Sequence, residues 1–257
     1  VQEVSLLVQT DYLTAVAEAW VNRHCPLLAY RSGKQKLREI LSENVNRLDV
    51  SLFLGLFDNL VGQRWLKQTL ISVINGLTDY AHPCQVLADL MTIRERRGPL
   101  AGQKLCFVGD GSSMANSLIV GGLLSGMQVT CVCPQSYRPA ADVLMFAHKY
   151  GSAFHLTADP AEGIQDADVV ATAVWNTAKP GTPESEQRLR DFVGYQLTGK
   201  LMESAKPDVM VLHCLPAHRG EEISSAVFEQ HAPEIFDEAE NRLHVQKAVL
   251  AILLEGK

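Results

Sequence analysis

The sequence predicts an α/β protein built as two lobes of parallel sheet with flanking helices, and three observations carry that prediction. From Lys104 onward, short apolar runs alternate with helically spaced segments, the pattern of strands joined by crossover helices. A shorter alternation of the same kind fills the head of the chain. At 257 residues and 47% hydrophobic, the chain is long enough to bury two modest cores.

In the head, Val4–Val8, Leu27–Tyr30, Val50–Leu56 and Ile71–Ile74 read as strands, the last closed by Asn75-Gly76. Between them Tyr12–Val21, Leu37–Arg47 and Gln63–Leu70 read as helices. A helix from Pro83 to Ile93 follows, with proline at its first position, where no amide hydrogen is needed. The charged, glycine- and proline-containing run Arg94–Gly102 reads as a linker.

Beyond it, Lys104–Val108 is a strand running into Gly109-Asp110-Gly111, and Ser113–Met127 carries helical spacing. Val129–Cys133 is a strand, Ala140–Tyr150 a helix stopped by Gly151, and Ala153–His155 a strand. Pro160–Gln165 is a short helix, and Val169–Ala173 and Val209–Leu212 are strands. The amphipathic helix Arg242–Leu254 is expected to pack back on the first lobe. The predicted domains are therefore 1–93, with 242–257 returning to it, and a Rossmann-like lobe over 94–241.

A net charge of -6 with both signs interspersed excludes the clustered cations on which nucleic-acid binding rests. No apolar stretch approaches the roughly 20 residues that span a membrane, and no basic segment precedes an apolar core at the start of the sequence, so a cytoplasmic protein with small-molecule partners is expected. The six cysteines lie mostly in apolar runs rather than in disulfide-scaffold spacing. Cys131 and Cys133 share a strand face, but no second ligand pair accompanies them, and no metal is assigned.

Gly109-Asp110-Gly111 after a strand suggests a nucleotide site, yet a third glycine is absent and the next strand ends in Cys133-Pro134 rather than in an acid for a ribose. No cofactor is expected. Two other constellations carry chemistry. His82-Pro83-Cys84-Gln85 opens a helix, where free amides favour developing negative charge. His213-Cys214-Leu215-Pro216-Ala217-His218-Arg219-Gly220-Glu221-Glu222 leaves the C-terminal end of a strand, where open α/β sheets bind ligands, and Phe236–His244 follows it.

These strings resemble the ornithine carbamoyltransferases of the aspartate/ornithine carbamoyltransferase superfamily, over roughly Gly194 to Leu254 and again over Val73–Gln85. The resemblance implies a transferase of arginine metabolism, cytoplasmic and homotrimeric, moving a carbamoyl group to an amino-acid-like amine. It implies a carbamoyl-phosphate-type first domain and an amino-acid-binding second one. Among the catalytic residues it places His82 and Gln85 as donors to the carbamoyl oxygen, Arg242 on the same oxygen and Cys214 against the acceptor amine. Leu215, Ser113, Asn116, Trp175 and His213 fall at substrate-binding positions.

The pattern also changes in this chain. Leu7-Val8-Gln9-Thr10-Asp11 falls where the family carries Ser-Thr-Arg-Thr-Arg, and no arginine precedes Arg23. Each charge-assisted bond to a phosphate contributes on the order of 1.5 to 3 kcal/mol, so this loss is large. Ala173-Val174-Trp175 replaces Asp-Val-Trp, removing a carboxylate for the acceptor's α-amine. Arg31–Lys36 is a basic turn, read as a solvated surface. Carbamoyl transfer with altered substrate or weakened activity is the expectation; a catalytically degenerate structural or regulatory subunit is the alternative.

Overall fold

The structure is a computed structural model that describes residues 74–255, with side chains described to residue 251. The head strands and helices, Gln9, Asp11 and the Arg31–Lys36 turn lie outside the described residues. The chain divides into two compact units, Val1–Cys84 with Arg242–Lys257, and Gln85–Asn241.

In the unit 85–241, strands β1 (Lys104–Val108), β2 (Gln128–Val132), β3 (Phe154–Thr157), β4 (Val169–Thr172) and β5 (Met210–His213) form one sheet in the order β3-β2-β1-β4-β5. Every pairing is parallel, with Phe107 opposite both Cys131 and Ala171. Leu105–Val108, all of β4 and all of β5 are buried, as expected for strands covered on both faces. The strand order reverses at β1, so the turns leaving β1, β4 and β5 share the end of the sheet where such folds hold ligands.

Helix α1 (Pro83–Arg97) keeps its proline at the first position but runs through Arg94–Arg97, which the sequence suggested was linker. Its last turn is held by long-range charges: Arg96 meets Asp237 at 2.5 Å and Arg97 meets Asp168 at 3.3 Å. Helix α2 (Ser113–Leu124) is buried from Met114 to Leu123, and its glycines allow close approach: a Cβ on Gly121 would lie 2.4 Å from the Val86 side chain. Helix α3 (Ala141–Ala147) ends sooner than predicted, in a 3₁₀ segment at His148–Ala153 where Gly151 has φ 55°. In α4 (Pro160–Ile164), the Asp159 side chain accepts from the Ala161 and Glu162 amides.

Two helices were not predicted. Helix α5 (Pro183–Asp191) is capped by Thr182, and α6 (Gly199–Met202) by Thr198. Both carry start signals without an apolar stripe. Helix α7 (Ser225–Glu255) begins 17 residues before its predicted start at Arg242 and carries Pro233 inside it.

The lower end of the sheet is pinned by Asp168, which accepts from the Lys104 amide at 2.8 Å and meets Lys206 at 2.7 Å. Burial pushes its carboxyl up, but the Lys104 amide, Lys206 and Arg97 outweigh burial and hold it below the usual range. In the other unit, Thr78 closes a turn on Ala81, and Ile74 and Cys84 pack with Val249 and Leu250 of α7. Among the described residues, no helix is long and apolar enough to cross a membrane.

Candidate active site

The turn after β5 is organised by one imidazole. His213 Nδ1 accepts from the Leu215 amide at 2.9 Å, which fixes the ring hydrogen on Nε2, and Nε2 donates to Glu222 Oε1 at 2.9 Å. Glu222 Oε1 also accepts from the His218 amide at 2.6 Å, and the side chains of His213 and Glu222 are both fully enclosed. His213 therefore shapes the turn: both ring nitrogens are spent on the protein, and its place at a substrate-binding position is indirect. Leu215 is held at φ 52°, a conformation that costs a side-chain-bearing residue about 1 to 2 kcal/mol. The ring and the carboxylate maintain that strain, and Cys214 is left half-buried at the end of the sheet.

Gln85, in the first turns of α1, is 1% exposed and donates through Nε2 to Asp89 Oδ1 at 2.8 Å and to Glu238 Oε1 at 2.7 Å. An amide nitrogen has two hydrogens, and both are committed. The donor role toward a carbamoyl oxygen that the family resemblance implies for Gln85 would require one of these two bonds to be given up. The same Glu238 accepts from the His213 amide at 2.8 Å, so one side chain of α7 joins the start of α1 to the end of β5.

At the ends of β1 and β4 the geometry is equally specific. A Cβ on Gly111 would lie 2.3 Å from the Arg138 carbonyl carbon, and the Gly111 amide donates to Tyr137 O at 2.8 Å. The glycine serves the approach of residues 137–139, where a dinucleotide fold would admit a pyrophosphate. Asn116 fastens the same segment, its Oδ1 accepting from the Ala140 amide at 3.0 Å, while Ser113 lies half-buried in the first turn of α2. Trp175 is 3% exposed and its ring stacks on Phe192 at 4.6 Å. The Trp175 ring packs within the core of this unit. Its carbonyl and Asp110 both accept from Arg188 Nη1, at 2.7 and 2.6 Å, so Arg188 ties the β1 turn to the β4 turn.

In the other unit, Arg242 Nη1 lies 3.4 Å from His82 Nε2. Arginine only donates, so Nε2 presents its lone pair to Arg242. Burial, and then the Arg242 charge, push the His82 imidazole down to about 3, against a smaller upward contribution from the Gly76 carbonyl. The ring is neutral at physiological pH. With the Gln246 amide turned oxygen-first, that oxygen accepts from Arg242 Nε at 3.1 Å and Nη2 at 2.9 Å, orienting the guanidinium.

Among the described residues, one group of metal-ligand side chains gathers within 4.8 Å: His218, Glu221 and Glu222. Glu222 is already committed to the His213 ring and the His218 amide, so the folding of the turn accounts for the group. The residues that sequence reasoning missed are Asp89, Arg188, Glu222 and Glu238. Asp89 lies one turn beyond Gln85 on the same helix and Glu222 nine residues after His213 in the same turn, spacings visible in the sequence; Arg188 and Glu238 act across long separations.

An open parallel sheet with polar turns at its C-terminal end, and with Gly111 closed off by residues 137–139, defines an α/β domain of the kind that holds ligands at that end. Residues 101–253 match the Asp/Orn binding domain of aspartate/ornithine carbamoyltransferases, and residues 58–95 match their carbamoyl-P binding domain. This chain belongs to the aspartate/ornithine carbamoyltransferase family. It is 47% identical over 188 residues to the ornithine carbamoyltransferase of Carboxydothermus hydrogenoformans, a match covering 72% of this chain and 60% of that one. With the enzyme of Geobacter metallireducens the identity is 48%, over 75% of this chain and 64% of the relative. The solved structure of ornithine carbamoyltransferase from Pyrococcus furiosus is similar with a TM-score of 0.69 at 43% identity, covering 75% of this chain and 62% of that one. The matches thus span about 60% of the relatives' length.

Proposed function

We propose that this chain transfers a carbamoyl group from carbamoyl phosphate to the side-chain amine of an ornithine-like amino acid. The observation that supports this most is the turn His213–Pro216, where a buried imidazole holds Leu215 in a strained conformation at the ligand-binding end of the sheet. Such strain is kept where backbone groups must be aimed. The Leu215 carbonyl accepts from the carbamoyl NH₂, Gln85 acts at the carbamoyl group, and Cys214 faces the acceptor amine. Arg242 stabilises the oxygen that becomes negative when the amine attacks the carbonyl carbon. His82, neutral and adjacent to Arg242, donates to that oxygen once its Nε2 carries the ring hydrogen. The new N–C bond forms, the C–O bond to phosphate breaks, and the amine's proton leaves with solvent or phosphate.

The finer reading concerns the rate. Ala173 stands where the family resemblance places an aspartate for the acceptor's α-amine, so the affinity for ornithine is lower than in the relatives. An assay of citrulline and phosphate release with ornithine, lysine, putrescine and aspartate tests both levels. Carbamoyl transfer to ornithine or a related amine, with Ala173→Asp lowering KM for ornithine, is the expected result. No phosphate release with any amine would overturn the reading in favour of a structural or regulatory subunit. The same reading places the chain in arginine metabolism, as a homotrimer checked by light scattering. The five free thiols among the described residues support a reducing, cytoplasmic setting.

A further inference from the structure

We propose a binding site for a divalent transition-metal ion of the zinc class in the turn 218–222, held by a ring nitrogen of His218 and by the carboxylates of Glu221 and Glu222. One ligand atom from each of the three side chains lies within 4.8 Å of the others, and His218 Nδ1 stands 3.8 Å from Glu221 Oε2. The bonds that fold the turn explain why these side chains meet, but they leave two acceptors over. Glu222 Oε1 takes the His213 ring hydrogen and the His218 amide. The enclosed oxygens Glu222 Oε2 and Glu221 Oε2 have no hydrogen-bond partner among the described residues, and the Glu222 side chain is fully enclosed.

Charge points the same way. Among the described residues, the ion pairs of Glu221 and Glu222 are with His218 and His213 alone, and the adjacent Arg219 is spent on Glu229. His213 brings no charge, because its Nδ1 lone pair accepts from the Leu215 amide. An enclosed carboxylate without a cation is costly, and a second one beside it adds repulsion that a divalent cation removes. The donor set selects the ion: one imidazole with two carboxylates suits zinc or its neighbours better than magnesium or calcium. Four-coordinate zinc sets its ligand atoms about 3.4 Å apart, so the 3.8 Å separation has little to close. The backbone fixes the frame, with the Glu221 amide donating to His218 O at 2.9 Å and the Gly220 amide to Ile223 O at 2.8 Å. The His218 side chain is 45% exposed, which gives the ion an entrance and leaves a fourth position for water. Because Glu222 Oε1 holds His213, an ion on the same carboxylate clamps the turn that carries Cys214 and Leu215.

The site is independent of carbamoyl transfer, and its test needs no substrate. The full chain, treated with a chelator and dialysed, is titrated with zinc chloride by calorimetry. To set aside zinc held by the thiol at the end of β5, the titration is run in Cys214→Ser. One-to-one binding is expected in that variant, and His218→Ala or Glu221→Gln added to it should weaken the site about a hundredfold. Both side chains are partly exposed, so these variants keep the fold, whereas Glu222 supports His213 and is left intact. Zinc should also shift the His218 ring resonances, which magnesium chloride should leave in place. Absence of one-to-one binding in Cys214→Ser, or an affinity that His218→Ala and Glu221→Gln leave unchanged, overturns the proposal in favour of a proton on one of the two carboxyl groups.

Discussion

His213 spends both ring nitrogens inside its own turn, and its replacement is therefore costly for the fold. His213→Phe keeps the volume but leaves the Leu215 amide without a partner and the enclosed Glu222 carboxylate with the His218 amide in place of two donors, and should destabilise the protein by about 3 kcal/mol in urea unfolding. The sequence marks His213, Cys214 and Leu215 through the motif that contains them, but not what each side chain does. Gln85 shows why. Its identity and place at a helix start were legible, while the direction of its hydrogen bonds depends on Glu238, 153 residues away, and no local pattern encodes that. The packing of Trp175 was not legible for the same reason: its stacking partner, Phe192, lies in a segment without a helical or strand period.

Among the elements, the five strands of the described sheet were readable because buried parallel strands are short, apolar and separated by crossovers. Helix α5 was missed because capping and charge define it, with Thr182 and Pro183 at its start and Arg188 and Arg190 at its end, rather than an apolar face. Helix α7 runs through Pro233, a residue type that usually ends a helix. Pro233 is exposed and breaks one backbone bond without stopping the helix, so Pro233→Ala should stabilise the protein by about 1 kcal/mol in thermal or urea unfolding. Gly111 behaves oppositely. An added methyl would meet backbone atoms of residues 137–139, which cannot rotate away, so Gly111→Ala should cost about 2 kcal/mol and shift amide resonances from Tyr137 to Ala140. A phosphate-binding glycine would show neither effect in the ligand-free protein.

For the whole molecule, composition alone indicated a small-molecule partner and two α/β lobes, and the sheet of the 85–241 unit agrees with the predicted architecture. The electrostatic response to acid could not be read from composition, because it depends on how deeply one imidazole is enclosed. His82 titrates near 6.5 when unfolded and at about 3 when folded, so the unfolded chain takes up the proton first as pH falls. Its contribution to stability is intact above pH 6.5 and is lost progressively down to pH 3, at up to about 1.4 kcal/mol per pH unit. His82→Gln removes that slope. Urea unfolding at pH 7 and pH 5 should show the wild type losing about 2 kcal/mol more than the variant, and equal losses would show that the ring is hydrated in the folded protein.

The enclosed imidazole of His213 also supplies a reporter. A ring hydrogen that is fixed on Nε2, bonded to a carboxylate and shut away from water exchanges slowly, and so should give a resolved downfield proton resonance. That single line would register each opening of the turn carrying Cys214 and Leu215, so the lifetime of a loop can be timed from one nucleus without labelling the loop itself.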